Sequence, residues 1–426
     1  MNALLNRKNR DGSAEITVPS SKSELIRMLI CAALSDRETT IECLSLCEDV
    51  EVTIAALTEI GAKINVLSDS LTVFPVGSVN CRKQMKIDLK TSGAAYRFLV
   101  PLCAMLGIDA VFTGDASLFR RPLDPLKECL SASGTVFSSI DETTLSVKGK
   151  PDISRFKING SVSSQFVSGM LLSLPALGRP AELIIEGENV SAPYIELTLD
   201  ILKRFGIEYN QTGSGLRTES HFVSPGRIKV GGDWSAAAFW LIAGAIGTRP
   251  VKVSGLSPDS KQGDRKIVDL MSAFSANVET DGNTIVSHPS EPIGTIIDAK
   301  DCPDLVPALC VLASVAKGRS VFKNVDRLRF KESDRIETII SMLRAVNIKS
   351  TYKNNSLTVY GGKPESGIID SRNDHRIAMA GSLYALITGR IEINGAECVK
   401  KSDPLYFERM NCLSDITFTE DNNVRT

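Results

Sequence analysis

LCAMLGIDAVFTG, at residues 102–114, carries the pattern that decides the fold: an apolar run of helical length, a glycine and then a β-type run. The same order recurs in FWLIAGAIGTRPVKVSG (239–255), VLASVAKGRSVFKNV (311–325) and LYALITGRIEING (383–395). Apolar segments of this kind begin near Ser23, Ala94, Ser164, Ser235, Leu305 and His375, at a spacing of about 70 residues. Such a regular spacing is typical of a repeated structural unit.

A second helix and a hairpin follow the apolar segment in the first five repeats. Asp49–Ile60 ends at Gly61 and Pro193–Phe205 ends at Gly206, as expected for helices capped by glycine. Pairs of short runs such as ANVETDGNTIVSHP (276–289) then indicate hairpins, which gives each repeat the order βαβαββ. The first helix is apolar on nearly every face and is predicted to be buried, whereas the amphipathic second helix is predicted to lie nearer the surface.

The chain is predicted to form two similar domains of the α/β (α+β) class, each built from three βαβαββ units around buried helices, with a cleft between the domains. A chain of 426 residues is too long for one ordinary hydrophobic core. The sixth unit is short and ends with the single run DITFTE, so its missing strand is predicted to come from residues 1–18. The first domain then spans residues 20–227, and the second combines residues 1–19 with 228–426.

The composition argues against several classes of protein. A net charge of −1 speaks against nucleic acid as the main partner, because phosphate backbones attract clearly basic surfaces. The ten cysteines form no CxxC pair and the chain has three histidines, so we expect no metal and no other cofactor. The start MNALLNRKNRDGSAEI lacks the apolar stretch of a signal peptide, and the longest apolar runs are too short or interrupted for a membrane span. We therefore expect a cytoplasmic protein without nucleic-acid or membrane partners. A monomer is also expected, although none of these features bears on the oligomeric state.

Polar and charged residues gather at the starts of the predicted buried helices. The segments are PSSKSELIR (19–27), KTSGAAYR (90–97), GSVSSQF (160–166), CPDLVPAL (302–309) and RNDHR (372–376). Helix N-termini expose unpaired N–H groups and carry a partial positive charge, which suits anions. Several such ends facing one cleft, together with lysine and arginine side chains, would bind a pair of anionic substrates.

Each of these features also has a plain structural explanation. Serine or aspartate before a helix is an ordinary N-cap, and Gly93 fits a tight turn. The run RLRFKESDR (327–335) fits a solvated helix start with ion pairs, and His375 fits a simple helix-start histidine. A shared functional site is favoured because these groups recur at the same position of the repeat.

Nine segments resemble, in the same order, those of the 5-enolpyruvylshikimate-3-phosphate (EPSP) synthase family. They are PSSKSELIR, TSGAAYRF, TGDASLFRRPLDPL, GSVSSQF, SAPYIELTL, CPDLVPAL, RFKESDR, NDHRIAM and KSDPLYFE. The resemblance spans essentially the whole chain and implies two similar domains of three βαβαββ units that close around substrate. It implies an enzyme of the shikimate pathway, in aromatic amino-acid biosynthesis. The expected reaction transfers the enolpyruvyl group of phosphoenolpyruvate to the 5-hydroxyl of shikimate-3-phosphate and releases phosphate.

The resemblance also assigns roles to single residues. Shikimate-3-phosphate is expected to contact Lys22, Ser23, Arg27, Ser163, Ser164, Ser191, Tyr194, Asp304 and Lys331. Phosphoenolpyruvate is expected to contact Lys22, Gly93, Arg121, Gln165, Arg335, Arg376 and Lys401. The catalytic set implied is Asp304 as proton acceptor, Glu332 beside the pyruvyl methylene, and Lys22. Arg97 and His375 correspond to supporting residues.

Three positions depart from the common pattern of the family. Ala94 replaces a threonine of the glycine loop, Arg327 stands where a shorter amide is common, and Asp403 stands where an aromatic residue is frequent. A sister family, UDP-N-acetylglucosamine enolpyruvyl transferase, shares fold and reaction type but carries a reactive cysteine in the loop that reads RRPLDPLKECL here (120–130). A non-catalytic protein that binds anionic metabolites or RNA through the same repeat is a further alternative, although the net charge counts against RNA.

Overall fold

The computed structural model describes residues 1–77, 84–188, 190–213 and 215–420. Its contacts divide the chain into two compact units. The terminal unit comprises Met1–Pro19 and Gly231–Thr426, and the inserted unit comprises Ser20–Val230. The buried apolar side chains of the described residues form two clusters, one in each unit.

The strands of the described residues are short, from two to six residues each. In chain order they are β1 (Asn2–Arg7), β2 (Ala14–Thr17), β3 (Thr39–Glu42), β4 (Lys63–Val66), β5 (Ser70–Phe74), β6 (Met85–Asp88), β7 (Ala110–Thr113), β8 (Val136–Asp141), β9 (Thr144–Lys148), β10 (Arg155–Asn159), β11 (Ala181–Glu186), β12 (Asn210–Gln211), β13 (Leu216–Thr218), β14 (Arg227–Lys229), β15 (Val251–Ser254), β16 (Val278–Asp281), β17 (Thr284–Ser287), β18 (Ile296–Asp298), β19 (Arg319–Lys323), β20 (Ser350–Lys353), β21 (Ser356–Tyr360), β22 (Ile368–Asp370), β23 (Arg390–Asn394) and β24 (Ser414–Thr419).

Helices alternate with these strands along the chain. They are α1 (Lys22–Ala33), α2 (Glu48–Ile60), α3 (Gly93–Leu106), α4 (Ala116–Phe119), α5 (Asp124–Ser131), α6 (Ser164–Ser173), α7 (Ala192–Arg204), α8 (Trp234–Ile246), α9 (Ile267–Ala273), α10 (Val306–Val315), α11 (Arg335–Ala345), α12 (His375–Ser382), α13 (Ala385–Thr388) and α14 (Tyr406–Met410). Short 3₁₀ helices lie at Leu174–Leu177, Gly263–Lys266, Pro303–Leu305, Asp326–Phe330 and Ala396–Lys401.

The described strands form six four-stranded sheets, three in each unit, and all six follow one plan. In the order β6-β7-β9-β8, the first two strands are parallel, and β7–β9 and β9–β8 are antiparallel. The predicted α/β fold class with βαβαββ repeats is therefore confirmed. The first helix of each repeat is buried on nearly every face, as in α3, α8 and α10.

Two strands lie where the chain passes from one unit to the other, and each pairs in a different unit from the helix that follows it in sequence. β2 precedes α1 in sequence but pairs with β15 of the terminal unit, and β14 precedes α8 but pairs with β3 of the inserted unit. Because of this pairing, the inserted unit extends to Val230, three residues beyond the boundary expected at 227. The sixth sheet has the order β22-β23-β1-β24, so Asn2–Arg7 supplies its fourth strand. The prediction that residues 1–18 supply the missing strand is therefore confirmed by β1, and Ala14–Thr17 of the same segment pairs with β15 in another sheet.

Candidate functional site

In the inserted unit, helix α1 places Lys22 and Ser23 in its first turn. Ser21 caps this helix by accepting a hydrogen bond from the backbone N–H of Glu24. The Lys22 Nζ atom lies 3.0 Å from Oδ2 of Asp49, whose side chain is nearly buried at the start of α2. A lysine held in this way has little conformational freedom left to lose when an anion binds, which favours binding.

Arg27 lies one turn further along α1 and links three helices of the inserted unit. Its Nε donates to Oγ1 of Thr198 over 2.8 Å, its Nη1 donates to the Ser23 carbonyl over 2.8 Å, and its Nη2 donates to Oγ of Ser168 over 3.4 Å. Burial lowers the pKa of Arg27 to about 10, which leaves the guanidinium charged at neutral pH. Arg27 thus links α1 to α6 and α7 through hydrogen bonds besides carrying charge.

Gly93 opens helix α3 and packs directly against Arg121. A Cβ atom added at Gly93 would lie 2.5 Å from Nη1 of Arg121, so any side chain here would displace that guanidinium. Arg97 fixes both segments, because its Nη1 donates to the Gly93 carbonyl over 3.2 Å and its Nη2 donates to the Pro122 carbonyl over 2.9 Å. The supporting role expected for Arg97 corresponds to this bridge. Ala94 is the next residue of α3 and is half-buried.

The remaining residues expected from the inserted unit lie at the starts of α6 and α7. Ser163 caps α6 through a 3.3 Å hydrogen bond from the Gln165 N–H, and Ser164 is buried. Ser191 adopts a left-handed backbone conformation, with φ of 54°, immediately before α7, and Tyr194 lies in the first turn of that helix. Left-handed conformations are uncommon outside glycine and are often found at functional sites.

In the terminal unit, an ion cluster forms around Arg335, the first residue of α11. Its side chain is only 1% exposed. The Nε atom donates to Oδ2 of Asp374 over 2.8 Å, Nη1 donates to Oδ1 of Asp304 over 2.7 Å, and Nη2 donates to Oε2 of Glu332 over 2.5 Å. Asp374, Glu332 and Asp304 raise the pKa of Arg335 against the opposing effect of burial. A buried charge needs such partners to offset its desolvation.

Asp304 is the carboxylate shared by the cations of this cluster. Besides Arg335, Lys331 Nζ lies 3.1 Å from its Oδ1 and Arg376 Nη2 lies 3.4 Å from its Oδ2. Burial alone would raise the pKa of Asp304, but Arg376, Lys331 and Arg335 hold it well below its usual value. Burial lowers the pKa of Lys331 in turn. The structure therefore brings together Asp304, Lys331, Glu332, Arg335 and Arg376, with Asp304 ionised.

His375 and Lys401 belong to the same unit and are both buried. His375 is the first residue of α12, and its Nδ1 lies 4.0 Å from Oδ1 of Asp374, which is beyond hydrogen-bond distance. Lys401 ends the 3₁₀ helix Ala396–Lys401. The expected contact of Lys401 with phosphoenolpyruvate stays a prediction.

The other two residues that depart from the family pattern, Arg327 and Asp403, form hydrogen bonds with other residues of their unit. Arg327 donates a hydrogen bond from Nη2 to the Lys300 carbonyl. Asp403 is fully buried, accepts a hydrogen bond from the Leu405 N–H over 3.2 Å and pairs with Arg409. Burial raises the pKa of Asp403 despite that pairing.

Two acidic residues, one in each unit, were missed from the sequence: Asp49 and Asp374. Each lies beside a cation that was predicted, Lys22 and Arg335 respectively. The only sequence signal was their place at a helix start, where an aspartate is an ordinary capping or first-turn residue.

Within the described residues, no group of three or more histidine, cysteine, aspartate or glutamate side chains is arranged to hold a metal ion. No helix in the same residues has the length and apolar character required to cross a membrane.

Comparisons with known proteins match nearly the whole chain. The family described as EPSP synthase (3-phosphoshikimate 1-carboxyvinyltransferase) matches residues 7–410. The 3-phosphoshikimate 1-carboxyvinyltransferase of Clostridium kluyveri is 36% identical over 409 residues, which cover 94% of both chains. The enzyme of the same name from Clostridium novyi is 34% identical over 419 residues, covering 95% of this chain and 96% of the relative. Among solved structures, EPSP synthase from Acinetobacter baumannii superposes with a TM-score of 0.78 at 24% identity, over 98% of this chain and 100% of that one.

Proposed function

This chain belongs to the EPSP synthase family, and we propose that it transfers the enolpyruvyl group of phosphoenolpyruvate to the 5-hydroxyl of shikimate-3-phosphate, with release of phosphate. Family membership predicted from the sequence is confirmed, because the match covers residues 7–410. The observation that supports the chemistry is the cluster in which ionised Asp304 is surrounded by Lys331, Arg335 and Arg376, with Glu332 alongside.

We propose that the binding groups are those assigned by the family pattern. Shikimate-3-phosphate would contact Lys22, Ser23, Arg27, Ser163, Ser164, Ser191, Tyr194, Asp304 and Lys331. Phosphoenolpyruvate would contact Lys22, Gly93, Arg121, Gln165, Arg335, Arg376 and Lys401. Both ligands carry phosphate and carboxylate groups, for which guanidinium groups and helix N-termini are suitable partners. Arg97 would act indirectly, by holding the segments of Gly93 and Arg121.

Asp304 is the proposed acceptor of the hydroxyl proton. Its pKa is low because three cations face it, and a carboxylate in that state is ionised but weakly basic. An anionic substrate that draws Arg335 and Arg376 toward itself would weaken their hold on Asp304 and so raise its basicity. Asp304 would then take the 5-hydroxyl proton as the oxygen bonds to C2 of phosphoenolpyruvate.

Glu332 is the proposed acidic group beside the methylene carbon. In the addition step C3 gains a proton, and in the elimination step C3 loses one while the C2–O bond to phosphate breaks and the vinyl ether forms. Nη2 of Arg335 donates a hydrogen bond to the Glu332 carboxylate over 2.5 Å. Because the same guanidinium also donates to Asp304, the positions of the two carboxylates relative to each other are fixed. Fixed cations of this kind also stabilise the charge that develops on the departing phosphate.

The test of the function is phosphate release when the purified protein is mixed with shikimate-3-phosphate and phosphoenolpyruvate. We expect release that requires both compounds, with formation of the enolpyruvyl ether. Release with UDP-N-acetylglucosamine in place of shikimate-3-phosphate would instead support the sister family, and binding without any turnover would support a non-catalytic anion-binding protein. We also propose that the protein acts as a monomer in the cytoplasm, which sedimentation and cell fractionation would test.

A further inference from the structure

Asp374 lies on a turn whose backbone is held in an uncommon conformation. Strand β22 ends at Asp370, and after Ser371 two successive residues, Arg372 and Asn373, have positive φ, 47° and 58°. The Asp370 carboxylate accepts a hydrogen bond from the Arg372 N–H over 2.8 Å, and Ser371 Oγ accepts one from the Asn373 N–H over 3.2 Å. Consecutive left-handed residues of this type cost free energy and persist only where the surrounding structure imposes them. The turn delivers the Asp374 side chain to a fully buried position.

The two carboxylate oxygens of Asp374 make different contacts. Oδ1 accepts a hydrogen bond from the Arg376 N–H over 3.0 Å, which caps helix α12. Oδ2 accepts from Nε of Arg335 over 2.8 Å and from Oγ of Ser333 over 3.0 Å. Arg335 Nη2 adds a longer contact to Oδ1, at 3.3 Å. One buried carboxylate therefore joins the starts of α11 and α12, the two helices that carry Arg335 and Arg376.

The three carboxylates that contact Arg335 differ in their proposed roles. Its Nη1 and Nη2 atoms donate to Asp304 and Glu332, the carboxylates proposed to take part in the reaction. The Nε contact is made with Asp374, to which no role with the substrates is assigned. The edge of the guanidinium that carries Nε is thus anchored, and the Nη edge faces the reacting groups.

We propose that Asp374 is a positioning residue, which orients the Arg335 guanidinium toward phosphoenolpyruvate and fixes the first turn of α12 beside it. This inference rests on the proposed function for the role of Arg335. The competing explanation is that Asp374 only caps α12, in which case its effects would be those of any lost helix cap.

The experiment compares Asp374→Asn with Asp334→Asn. Asp334 is the neighbouring cap: its Oδ1 accepts from the N–H groups of Ile336 and Glu337, and its other oxygen pairs with the half-exposed Arg329 rather than with Arg335. Asparagine keeps an oxygen able to cap but removes the charge facing Arg335. We expect Asp374→Asn to raise KM for phosphoenolpyruvate about tenfold or more, with KM for shikimate-3-phosphate within about twofold. Asp334→Asn should leave both KM values within about twofold.

A double-variant cycle separates positioning from general loosening of the site. In an Arg335→Gln background, adding Asp374→Asn should change KM for phosphoenolpyruvate by less than about twofold, because the group that Asp374 orients is already gone. Equal KM effects of Asp374→Asn and Asp334→Asn, or an undiminished effect in the Arg335→Gln background, would overturn the proposal. If Asp374→Asn does not fold, Asp374→Glu takes its place: it keeps the charge, but its extra methylene displaces the carboxylate, and the same selective rise in KM is expected.

A measurement made without substrate tests the contact between Asp374 and Arg335 independently of the proposed function. The Arg335 Nε–H proton is buried and hydrogen-bonded, so its ¹H–¹⁵N signal should exchange slowly with solvent and be identified by its loss in Arg335→Gln. We expect Asp374→Asn to shift that signal and speed its exchange, and Ser333→Ala to leave its exchange slow. An unchanged signal in Asp374→Asn rejects the contact itself, whereas a changed signal in a protein without turnover rejects only the proposed function.

Discussion

Asp304 is the residue on which the proposed chemistry depends most directly. It is shared by Lys331, Arg335 and Arg376, and these cations keep it ionised despite its burial. Asp304→Asn should lower kcat by a factor on the order of 10² or more, because the amide cannot accept the hydroxyl proton. Steady-state kinetics give the loss, and thermal unfolding checks that the variant is folded. Near-native turnover would reduce Asp304 to a structural member of the ion cluster.

Asp264 is a buried carboxyl group whose titration should be visible in stability. Burial and the nearby Asp304 raise its pKa to about 6, although Arg376 and the Ser235 hydroxyl oppose the shift. The usual pKa of aspartate is about 3.9, so the folded state binds this proton more tightly than the unfolded state does. The stability that this group contributes is therefore present in full below about pH 4 and is lost as pH rises through about 6.

Asp264→Asn removes this titration while keeping the shape of the side chain. The stability of the variant relative to the native protein should be greater at pH 7 than at pH 4, by up to about 3 kcal/mol for a shift of this size. Chemical denaturation of both proteins at the two pH values measures the difference. A relative stability that is the same at pH 4 and pH 7 would show that Asp264 ionises normally in the folded chain.

At this scale the sequence could predict which residue types meet, but not how they are paired. Asp304 stood out at a predicted helix start, whereas the roles of Glu332 and Arg335 came from the family resemblance, because a charged run alone fits a solvated helix start. Glu332 is only three residues from Arg335, but Asp304 and Asp374 are 31 and 39 residues away, and periodicity carries no information about which side chains meet over such separations. Asp374 was missed for that reason: in sequence it is one more helix cap.

At the scale of elements, α3 and α6 make a close helix contact in the inserted unit. Gly169 of α6 lies against the backbone of α3: a Cβ added there would be 2.2 Å from the Arg97 carbonyl oxygen and 3.3 Å from Cγ of Pro101. Backbone atoms cannot give way as a flexible side chain does. This contact also fixes the relative position of the two helix starts that carry Gly93 and Gln165, so packing and site geometry are coupled here.

Gly169→Ala should therefore force α3 and α6 apart. We expect the free energy of unfolding to fall by about 1–3 kcal/mol, the usual cost of overpacking a core. The matched control is Gly77→Ala, because a Cβ added at Gly77 meets no atom of the described residues within 4 Å. Urea unfolding of the three proteins measures the effect, and equal stability of Gly169→Ala and the control would mean that the helices adjust without cost.

Most elements could be predicted from the sequence, since apolar helices, glycine caps and hairpin turns leave strong local signals. The predicted helices Asp49–Ile60 and Pro193–Phe205 correspond to α2 and α7 within one residue at each end. Residues 1–19 were expected in the second domain, and β2 does pair with β15 there. The pairing of β14 with β3 was not expected, because the local sequence of a short strand does not identify the sheet that it joins.

At the scale of the whole molecule, the chain is divided so that each unit completes its own sheets. Arg227–Lys229 pair with Thr40–Glu42 inside the inserted unit, and Asn2–Arg7 lie between β23 and β24 in the terminal unit. The two apolar clusters are separate, and the inserted unit is one continuous segment. A continuous segment with its own core and complete sheets meets the usual requirements for independent folding.

The fragment Ser20–Val230 should therefore fold by itself, with a cooperative unfolding transition and native-like circular dichroism. A fragment of residues 20–224 is the control, because it retains the helices of the inserted unit but lacks β14. In that fragment β3 still pairs with β5, but its other edge is left unpaired. We expect the shorter fragment to be less stable and more prone to associate through that edge. Urea unfolding and sedimentation of both fragments measure these differences. If the 20–230 fragment unfolds without cooperativity, the inserted unit depends on the rest of the chain for its stability. If the 20–224 fragment is as stable as the 20–230 fragment, the inserted unit does not require β14.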